Sequence, residues 1–181
     1  MNKQIAFILV LSFFSLTIAR EQVNSSNQVL AQEQLEISAG HFEVDISSNY
    51  FTAENNILII QGPLRITADK AIYTDKKEVI TLYKNITMIY KKLKINCEHL
   101  IYNRKEETIS AYDQLYVTYN DFFIQANQLN YDMKKNEVFF NGPTTIRRGK
   151  SIIKSKDIIF DVNNQKLLSR EKTRAILDDV K

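Results

Sequence analysis

Apolar and polar residues alternate with a period of two through most of the chain, which is typical of β-strands that bury one face. Leu64, Ile66 and Ala68, for example, share one face, with polar residues between them. The alternation changes phase near Asp69, after which Tyr73 lies on the apolar face, and this change predicts a β-bulge or a corner. Helical spacing fits none of these segments, so the pattern predicts an all-β domain.

The alternation is organised as a 29-residue repeat, without insertion or deletion. Corresponding segments begin at Ile37, Ile66, Ile95, Ile124 and Ile153, and five repeats occupy residues 35–179. Each repeat contains three polar breaks, which predict about three short strands per repeat and about 15 in all. Stacked on their neighbours about 4.8 Å apart, the five repeats predict a body roughly 24 Å long with an apolar interior.

The N-terminal segment, residues 1–19, has the three parts of a secretory signal peptide. Lys3 precedes an apolar run from Ile5 to Ile18, and Thr17 and Ala19 supply small residues before a cleavage point. The alternative is an uncleaved membrane anchor, although this run is shorter than the roughly 20 residues that span a bilayer. We therefore expect a signal peptide at 1–19, a polar lead-in at 20–34 and one domain at 35–179.

Composition narrows the function further. The 181 residues carry a net charge of +3, which is too balanced to indicate nucleic-acid binding. The single Cys excludes an intramolecular disulfide framework, and the two His make a metal centre unexpected. No nucleophile–base set, phosphate-binding glycine loop or paired-cysteine motif is present in the sequence. We expect no enzymatic activity, no cofactor and no metal.

Two groups of residues are candidates for binding. The first is the apolar interior, read either as a lipid-binding surface or as a simple packed core: Leu35, Ile37, Ile66, Tyr73, Leu93, Ile95, Tyr102, Phe122, Ile124, Tyr131 and Phe140. The second lies at corresponding breaks two repeats apart, read either as phosphate-contacting residues or as solvated loop charges: Lys91, Lys92, Lys94, Arg147, Arg148 and Lys150. A 14-carbon acyl chain costs roughly 10 kcal/mol to expose to water, so a sheltered path for it would be useful.

The repeat resembles the OstA-like repeat of the LptA/LptC family of periplasmic lipopolysaccharide-transport proteins. The resemblance is carried by the Ala68-Asp69 to Tyr73 core and by the segments Ile59–Thr74, Asn127–Gly142 and Ile152–Leu177. It spans residues 35–179, with LptA as the nearer member and LptC the second. It implies a twisted, open β-jellyroll whose interior holds acyl chains.

The resemblance also implies a function and partners. The protein would be a passive periplasmic carrier that passes lipopolysaccharide from the inner to the outer membrane, with energy supplied by an inner-membrane ABC transporter. LptC-like and LptD-like domains would dock on its strand edges, and copies would stack head to tail. The alternatives are an LptC-like tethered component, a structural β-solenoid and a carrier of another envelope lipid.

Overall fold

The computed structural model describes residues 33–45, 47 and 49–177. The signal peptide predicted at 1–19, nearly all of the lead-in predicted at 20–34 and the end of the predicted domain at 178–179 lie outside the described residues. Among the described residues, no helix is long and apolar enough to cross a membrane.

The described chain forms one antiparallel sheet in which each long strand lies between the strands that precede and follow it, and a pair of short strands lies beside the long strand at each end. A single 3₁₀ turn at Asp75–Lys77 interrupts the strands within this part of the chain. The strands are β1 Leu35–Ser38, β2 His41–Asp45, β3 Tyr50–Gln61, β4 Leu64–Thr74, β5 Val79–Tyr90, β6 Leu93–Asn103, β7 Thr108–Tyr119, β8 Phe122–Asp132, β9 Glu137–Arg148, β10 Ser151–Asp161, β11 Lys166–Ser169 and β12 Arg174–Ile176. The expectation of an all-β sheet fold is confirmed.

The 29-residue period appears directly in the strand bounds. Strands β3, β5, β7 and β9 begin at 50, 79, 108 and 137, and β4, β6, β8 and β10 begin at 64, 93, 122 and 151. Strands β1 and β2 share one position beside β3, and β11 and β12 share one beside β10. The array therefore has ten strand positions, two per repeat, with a broken strand at each end.

The expected number of strands, about 15, was wrong, because one of the three breaks in each repeat lies inside a strand. Asn55 and Asn56 interrupt β3 with φ of 66° and 55°, and Lys84 and Asn85 interrupt β5 with φ of 64° and 50°. The strand register shifts at these points, between Glu54 and Ile57 and at the equivalent places on other strands. These pairs are β-bulges, and a bulge bends its strand without ending it.

The predicted change of phase near Asp69 is confirmed as an irregularity of the register, which shifts between Thr67 and Lys70. Asn85 Nδ2 donates a hydrogen bond to Asp69 Oδ2 across the bulge at 2.7 Å.

The predicted body length of roughly 24 Å was too short, because each repeat contributes two strand widths. Ten positions about 4.8 Å apart give roughly 48 Å along the sheet.

The turns at one edge of the sheet are tied together at the same 29-residue interval. The carbonyls of Asn49, Glu78, Glu107 and Asn136 accept backbone hydrogen bonds of 2.9–3.1 Å from Asp75, Arg104, Met133 and Val162. All four acceptor residues have positive φ, which lets the loop close tightly onto the next strand. The repeat is thus fixed by backbone geometry as well as by side-chain packing.

The first prediction concerns strain at a bulge. Lys84 has φ of 64°, a conformation that costs a non-glycine residue about 1–2 kcal/mol. We expect Lys84→Gly to stabilise the fold by about 0.5–1 kcal/mol, after the greater freedom of glycine in the unfolded chain is subtracted. Urea denaturation measures this change.

Lys94→Gly is the matched control, because Lys94 is an exposed lysine within regular strand β6. Glycine there should destabilise the fold by roughly 0.5–1 kcal/mol. Two changes of the same sign would contradict the assignment of strain to the bulge.

Candidate lipid-binding interior and its seam

The bent sheet folds over so that the row of strand ends along one of its edges meets the row of strand ends along the opposite edge. We call the line of contact between these two rows the seam. The row of ends at Gln61, Tyr90 and Tyr119 faces a second row at Tyr102, Tyr131 and Phe160. Facing residues are 41 positions apart in sequence, and each pair follows the previous one by 29 positions. The seam closes the apolar interior along its length.

The first pair across the seam is hydrogen-bonded. Tyr102 Oη donates to Gln61 Oε1 at 3.1 Å, and Arg104 Nε donates to the same oxygen at 3.3 Å. Gln61 Nε2 donates to the backbone carbonyl of Glu33 at 3.2 Å, so the first described residue is held at this edge. Gln61 is completely buried, and its amide joins three segments of the chain.

The middle pair is held by ring contact and lies beside a cavity. The ring centroids of Tyr90 and Tyr131 are 6.1 Å apart, and Tyr131 Oη donates to Asn136 within its own edge at 2.9 Å. The cavity has a volume of about 300 Å³, and its walls combine tyrosines and apolar side chains with lysines. It is lined by Tyr90, Lys91, Lys92, Leu93, Tyr119, Tyr131, Asn136, Val162 and Asn163.

The third pair is again tied by a polar contact. Tyr119 Oη donates to the backbone carbonyl of Val162 at 3.3 Å, and its ring meets the edge of Phe160 at a centroid distance of 5.1 Å. The seam is therefore hydrogen-bonded at the first and third levels, and the cavity extends from the middle level to the third. At the middle level, the two rows of strand ends can separate by breaking a ring contact, without breaking a hydrogen bond between the described residues of the two rows.

The residues expected to form the interior lie together on the inner face of the sheet. Leu35 and Phe122, near the two ends, are partly buried, and the others are buried: Ile37, Ile66, Tyr73, Leu93, Ile95, Tyr102, Ile124, Tyr131 and Phe140. Several of them, including Tyr102 and Phe140, expose none of their surface. In this conformation the interior is a packed core, so an acyl chain would have to open the seam to reach most of these side chains.

The interior is open at the β1–β2 end. Val44 belongs to the same column as Tyr73, Tyr102, Tyr131 and Phe160, which expose at most 6% of their surface. Val44 exposes 59%, because β2 has no further strand beyond it in the described structure. An apolar surface that is buried elsewhere in the column is thus presented at this end.

The residues expected to form a basic edge are all exposed, but they lie in three settings. Lys91 and Lys92 line the seam cavity, and the Lys91 ammonium lies 5.0 Å from the ring centroid of Tyr90. Arg148 is paired with Asp121 at 2.6 Å and lies over Phe122. Lys94 and Arg147 point to the outer face of the sheet, and Lys150 belongs to the last turn of this edge.

Sequence reasoning missed the residues that close the seam. Gln61, Tyr90 and Tyr119 stand 29 positions apart, so their column was visible in the repeat. Their partners lie 41 positions further on, and that offset depends on how the sheet curls. Arg104 was also missed, although it bonds to Gln61 and has Glu78 at 3.9 Å.

His99, on the outer face, and the buried Cys97, Tyr102 and Tyr131 are reactive or titratable side chains whose surroundings indicate a structural role. His99 stacks on Tyr83 and packs on Tyr112, with ring centroids 5.0 and 5.5 Å apart. Burial raises the pKa of the Cys97 thiol to about 12, which keeps it protonated and weakly reactive at neutral pH. Burial likewise raises the pKa of the Tyr102 and Tyr131 hydroxyls, so both remain neutral hydrogen-bond donors.

The strand order, the bends and the apolar interior define a β-jellyroll assembled from tandem repeats. The profile of the lipopolysaccharide-assembly, LptC-related family matches residues 49–178, which is well over half of the chain. The chain therefore belongs to the LptC-related family of lipopolysaccharide-assembly proteins. The expected membership of a lipopolysaccharide-transport family is confirmed, and the protein functions in lipopolysaccharide transport.

A solved structure is similar to this chain at low sequence identity. It is the crystal structure of LptH, the LptA homologous periplasmic component of the lipopolysaccharide transport device from Pseudomonas aeruginosa, at 11% identity and a TM-score of 0.37. The match covers 84% of this chain and 100% of LptH. No curated protein matches the sequence.

The second prediction tests the hydrogen-bonded level of the seam. Tyr102→Phe removes the hydroxyl that donates to buried Gln61 and keeps the ring. We expect the free energy of unfolding to fall by about 1 kcal/mol, with an unchanged denaturant slope in urea. Tyr112→Phe is the control, because Tyr112 packs its ring on His99 at the outer surface. Equal losses of stability in the two variants would contradict a role for the seam hydrogen bond.

Proposed function

We propose that this chain carries lipopolysaccharide by holding its acyl chains within the jellyroll and passing them along towards the outer membrane. The observation that supports this most directly is the seam. An elongated apolar interior is closed there by a few polar contacts and by ring packing, and a cavity lies beside the middle pair of residues. Opening the seam would expose the predicted interior residues to an acyl chain. Each buried CH₂ of that chain contributes about 0.8 kcal/mol, which offsets the cost of breaking the seam's hydrogen bonds and ring packing.

Lys91 and Lys92 are the cations best placed to contact the lipid headgroup. Both line the cavity beside Tyr90 and Leu93, so a phosphate held there would leave its acyl chains facing apolar side chains. A lysine ammonium attracts phosphate as a compact charge. The remaining predicted cations, Lys94, Arg147, Arg148 and Lys150, would contact phosphates only outside the seam.

This carrier would be passive, periplasmic and not an enzyme. The family acts in lipopolysaccharide assembly, and the apolar interior supports carriage without bond making or breaking. We propose that residues 1–19 direct export, with cleavage before a mature chain that folds as one domain over 35–179. An uncleaved segment would instead give an LptC-like tethered component, and sequencing the mature N-terminus distinguishes the two.

Docking at the strand ends would connect the carrier to its partners. Val44 is an exposed member of the inner column at one end. Leu168, Ile176 and Leu177 are exposed at the other end, where Leu168 and Ile176 belong to the outer face of the sheet. We propose that LptC-like and LptD-like domains, or further copies of this chain, pair with the outer strands and continue the apolar interior.

The third prediction tests carriage and the route through the seam. A photoreactive phenylalanine derivative at Tyr90 should form an adduct with added lipopolysaccharide, because Tyr90 lines the cavity. The same group at Lys105, exposed in a turn, should not. The absence of an adduct at Tyr90 in folded protein would contradict lipid carriage.

The route is tested by bridging the seam. Lys92→Cys with Asn163→Cys places thiols on opposite sides of the cavity, and a short bismaleimide would hold the seam closed. We expect this bridge to abolish the adduct at Tyr90. The control bridge, Arg65→Cys with Ile89→Cys, joins neighbouring strands on the outer face and should leave the adduct intact. An adduct that persists with the seam bridged would mean that lipid enters through an end of the jellyroll.

The fourth prediction tests docking between copies. Val44→Lys places a charge on the open end of the interior and should weaken head-to-tail self-association in sedimentation equilibrium. Ile89→Lys makes the same change at an exposed residue of the outer face and should have no such effect. A wild-type chain that stays monomeric would contradict the stacking of copies.

A further inference from the structure

One row of side chains crosses the outer face of the sheet next to the turns at 62–63, 91–92, 120–121 and 149–150. Strand register places its members directly opposite one another on eight neighbouring strands. We call this row the outer ladder: Ile60, Arg65, Ile89, Lys94, Thr118, Phe123, Arg147 and Ile152. Cationic and uncharged residues alternate at each end of these eight strands, and neighbours are about 4.8 Å apart. On the outermost strands the row continues with exposed Glu36 opposite Ile60 and with Ile176 opposite Ile152.

The ladder exposes apolar side chains as well as charges. Phe123 exposes 59% of its surface and Ile89 exposes 41%, although each has buried neighbours on the inner face of the same strand. Arg65, Lys94 and Arg147 are exposed between them. A surface with apolar side chains between cations matches the interface of a lipid bilayer, where apolar groups reach the acyl boundary and cations meet phosphates.

On the outer face, the rows next to the turns at 62–63 and 91–92 differ in charge from the row at the opposite ends of the strands. The next outer row inward contains Leu58, Thr67, Thr87, Asn96, Tyr116, Gln125, Thr145 and Lys154, none of which is acidic. At the opposite edge, the corresponding outer row includes Asp132, Glu137 and Asp161. Cations therefore outnumber acids in these two rows, whereas acids outnumber cations in the outer row at the opposite edge. The turns of that opposite edge nevertheless hold exposed lysines, among them Lys76, Lys105 and Lys134.

The turns beside the ladder strengthen its charge. Lys91, Lys92 and Lys150 are exposed there, and Asp121 is paired with Arg148. The chain also enters the described domain at this edge, where Gln61 holds the carbonyl of Glu33.

We propose that the outer ladder is a docking surface for an anionic lipid bilayer. Ile89 and Phe123 would enter the interfacial region, and Arg65, Lys94 and Arg147 would contact lipid phosphates. This inference concerns the outside of the jellyroll and does not depend on whether the interior carries lipid. An acidic protein is a less suitable partner, because the exposed apolar side chains alternate with the cations and do not form one continuous patch.

The fifth prediction uses charge reversal on the full chain. Arg65→Glu, Lys94→Glu and Arg147→Glu in one variant should reduce partitioning onto phosphatidylcholine vesicles containing phosphatidylglycerol by about 100-fold or more, because three cations that meet phosphates are removed. Vesicles of phosphatidylcholine alone should show little difference between the variant and the wild type. Raising the salt concentration should reduce wild-type binding, because salt screens the attraction between these cations and the phosphates.

Lys76→Glu, Lys105→Glu and Lys134→Glu form the matched control. These exposed lysines occupy equivalent turn positions on the opposite edge, and their reversal changes the net charge by the same amount. We expect the control to retain wild-type partitioning within about twofold, since these lysines would stand away from the phosphates. The upstream apolar segment is common to all three proteins, so its own membrane affinity cancels. Equal reductions in both variants would overturn the proposal, since they would report net charge alone.

A fluorescent label gives a second measurement that does not rely on charge reversal. An environment-sensitive dye on Phe123→Cys should shift to the blue on anionic vesicles, and the same dye on Thr108→Cys, in the outer row of the opposite edge, should not. Native Cys97 is buried and would not be labelled in the folded protein. The absence of a shift at Phe123, or binding of polyglutamate in place of vesicles, would contradict a membrane-docking surface.

Discussion

A pair of consecutive residues in the left-handed conformation near the middle of alternate strands is the constraint on which the rest of this structure depends. Asn55–Asn56, Lys84–Asn85 and Asp113–Gln114 each insert a bulge into a strand of twelve residues. Because the bulges recur at the 29-residue interval, all strands bend at the same height and the sheet folds as a unit. The fold forms an interior without closing a barrel. The two rows of strand ends meet at the seam through side-chain contacts, and these rows are not joined by backbone hydrogen bonds between paired strands.

Closure through side chains makes the seam different from the remainder of the sheet. Strands within the sheet are joined by continuous backbone hydrogen bonds, but the edges are joined by Gln61, Tyr102, Arg104 and Tyr119 and by ring packing. Breaking a handful of side-chain contacts costs far less than separating two paired strands of eleven residues. A molecule built in this way can widen along one line while its strand order is kept. That property suits a carrier whose cargo is long, apolar and variable in width.

Much of the fold was predictable because it is periodic. The 29-residue interval, the all-β architecture and the bulge near Asp69 follow from alternation and its change of phase. The number of strands did not follow, because pairs such as Asn55–Asn56 satisfy the same composition rules in a turn and in a bulge. The sequence also identified the inner face, since Tyr102 and Tyr131 occupy one apolar column. It did not identify the seam, because the offset from Gln61 to Tyr102 is set by the curvature of the whole sheet.

The two proposed lipid contacts share one edge of the molecule, and this arrangement has a consequence for the direction of transfer. Lys91 and Lys92 form the turn between β5 and β6, two residues after Ile89 and two residues before Lys94 of the outer ladder, and they also line the seam cavity. A domain resting on an anionic bilayer through the ladder would bring that turn, and the cavity beside it, close to the lipid surface. The least strongly closed level of the seam would then adjoin the source of acyl chains, and the lysines would meet headgroups before the chains reached Tyr90. Lipid would be loaded at the side of the jellyroll and leave along its length, because the interior column continues to Val44 at the open end.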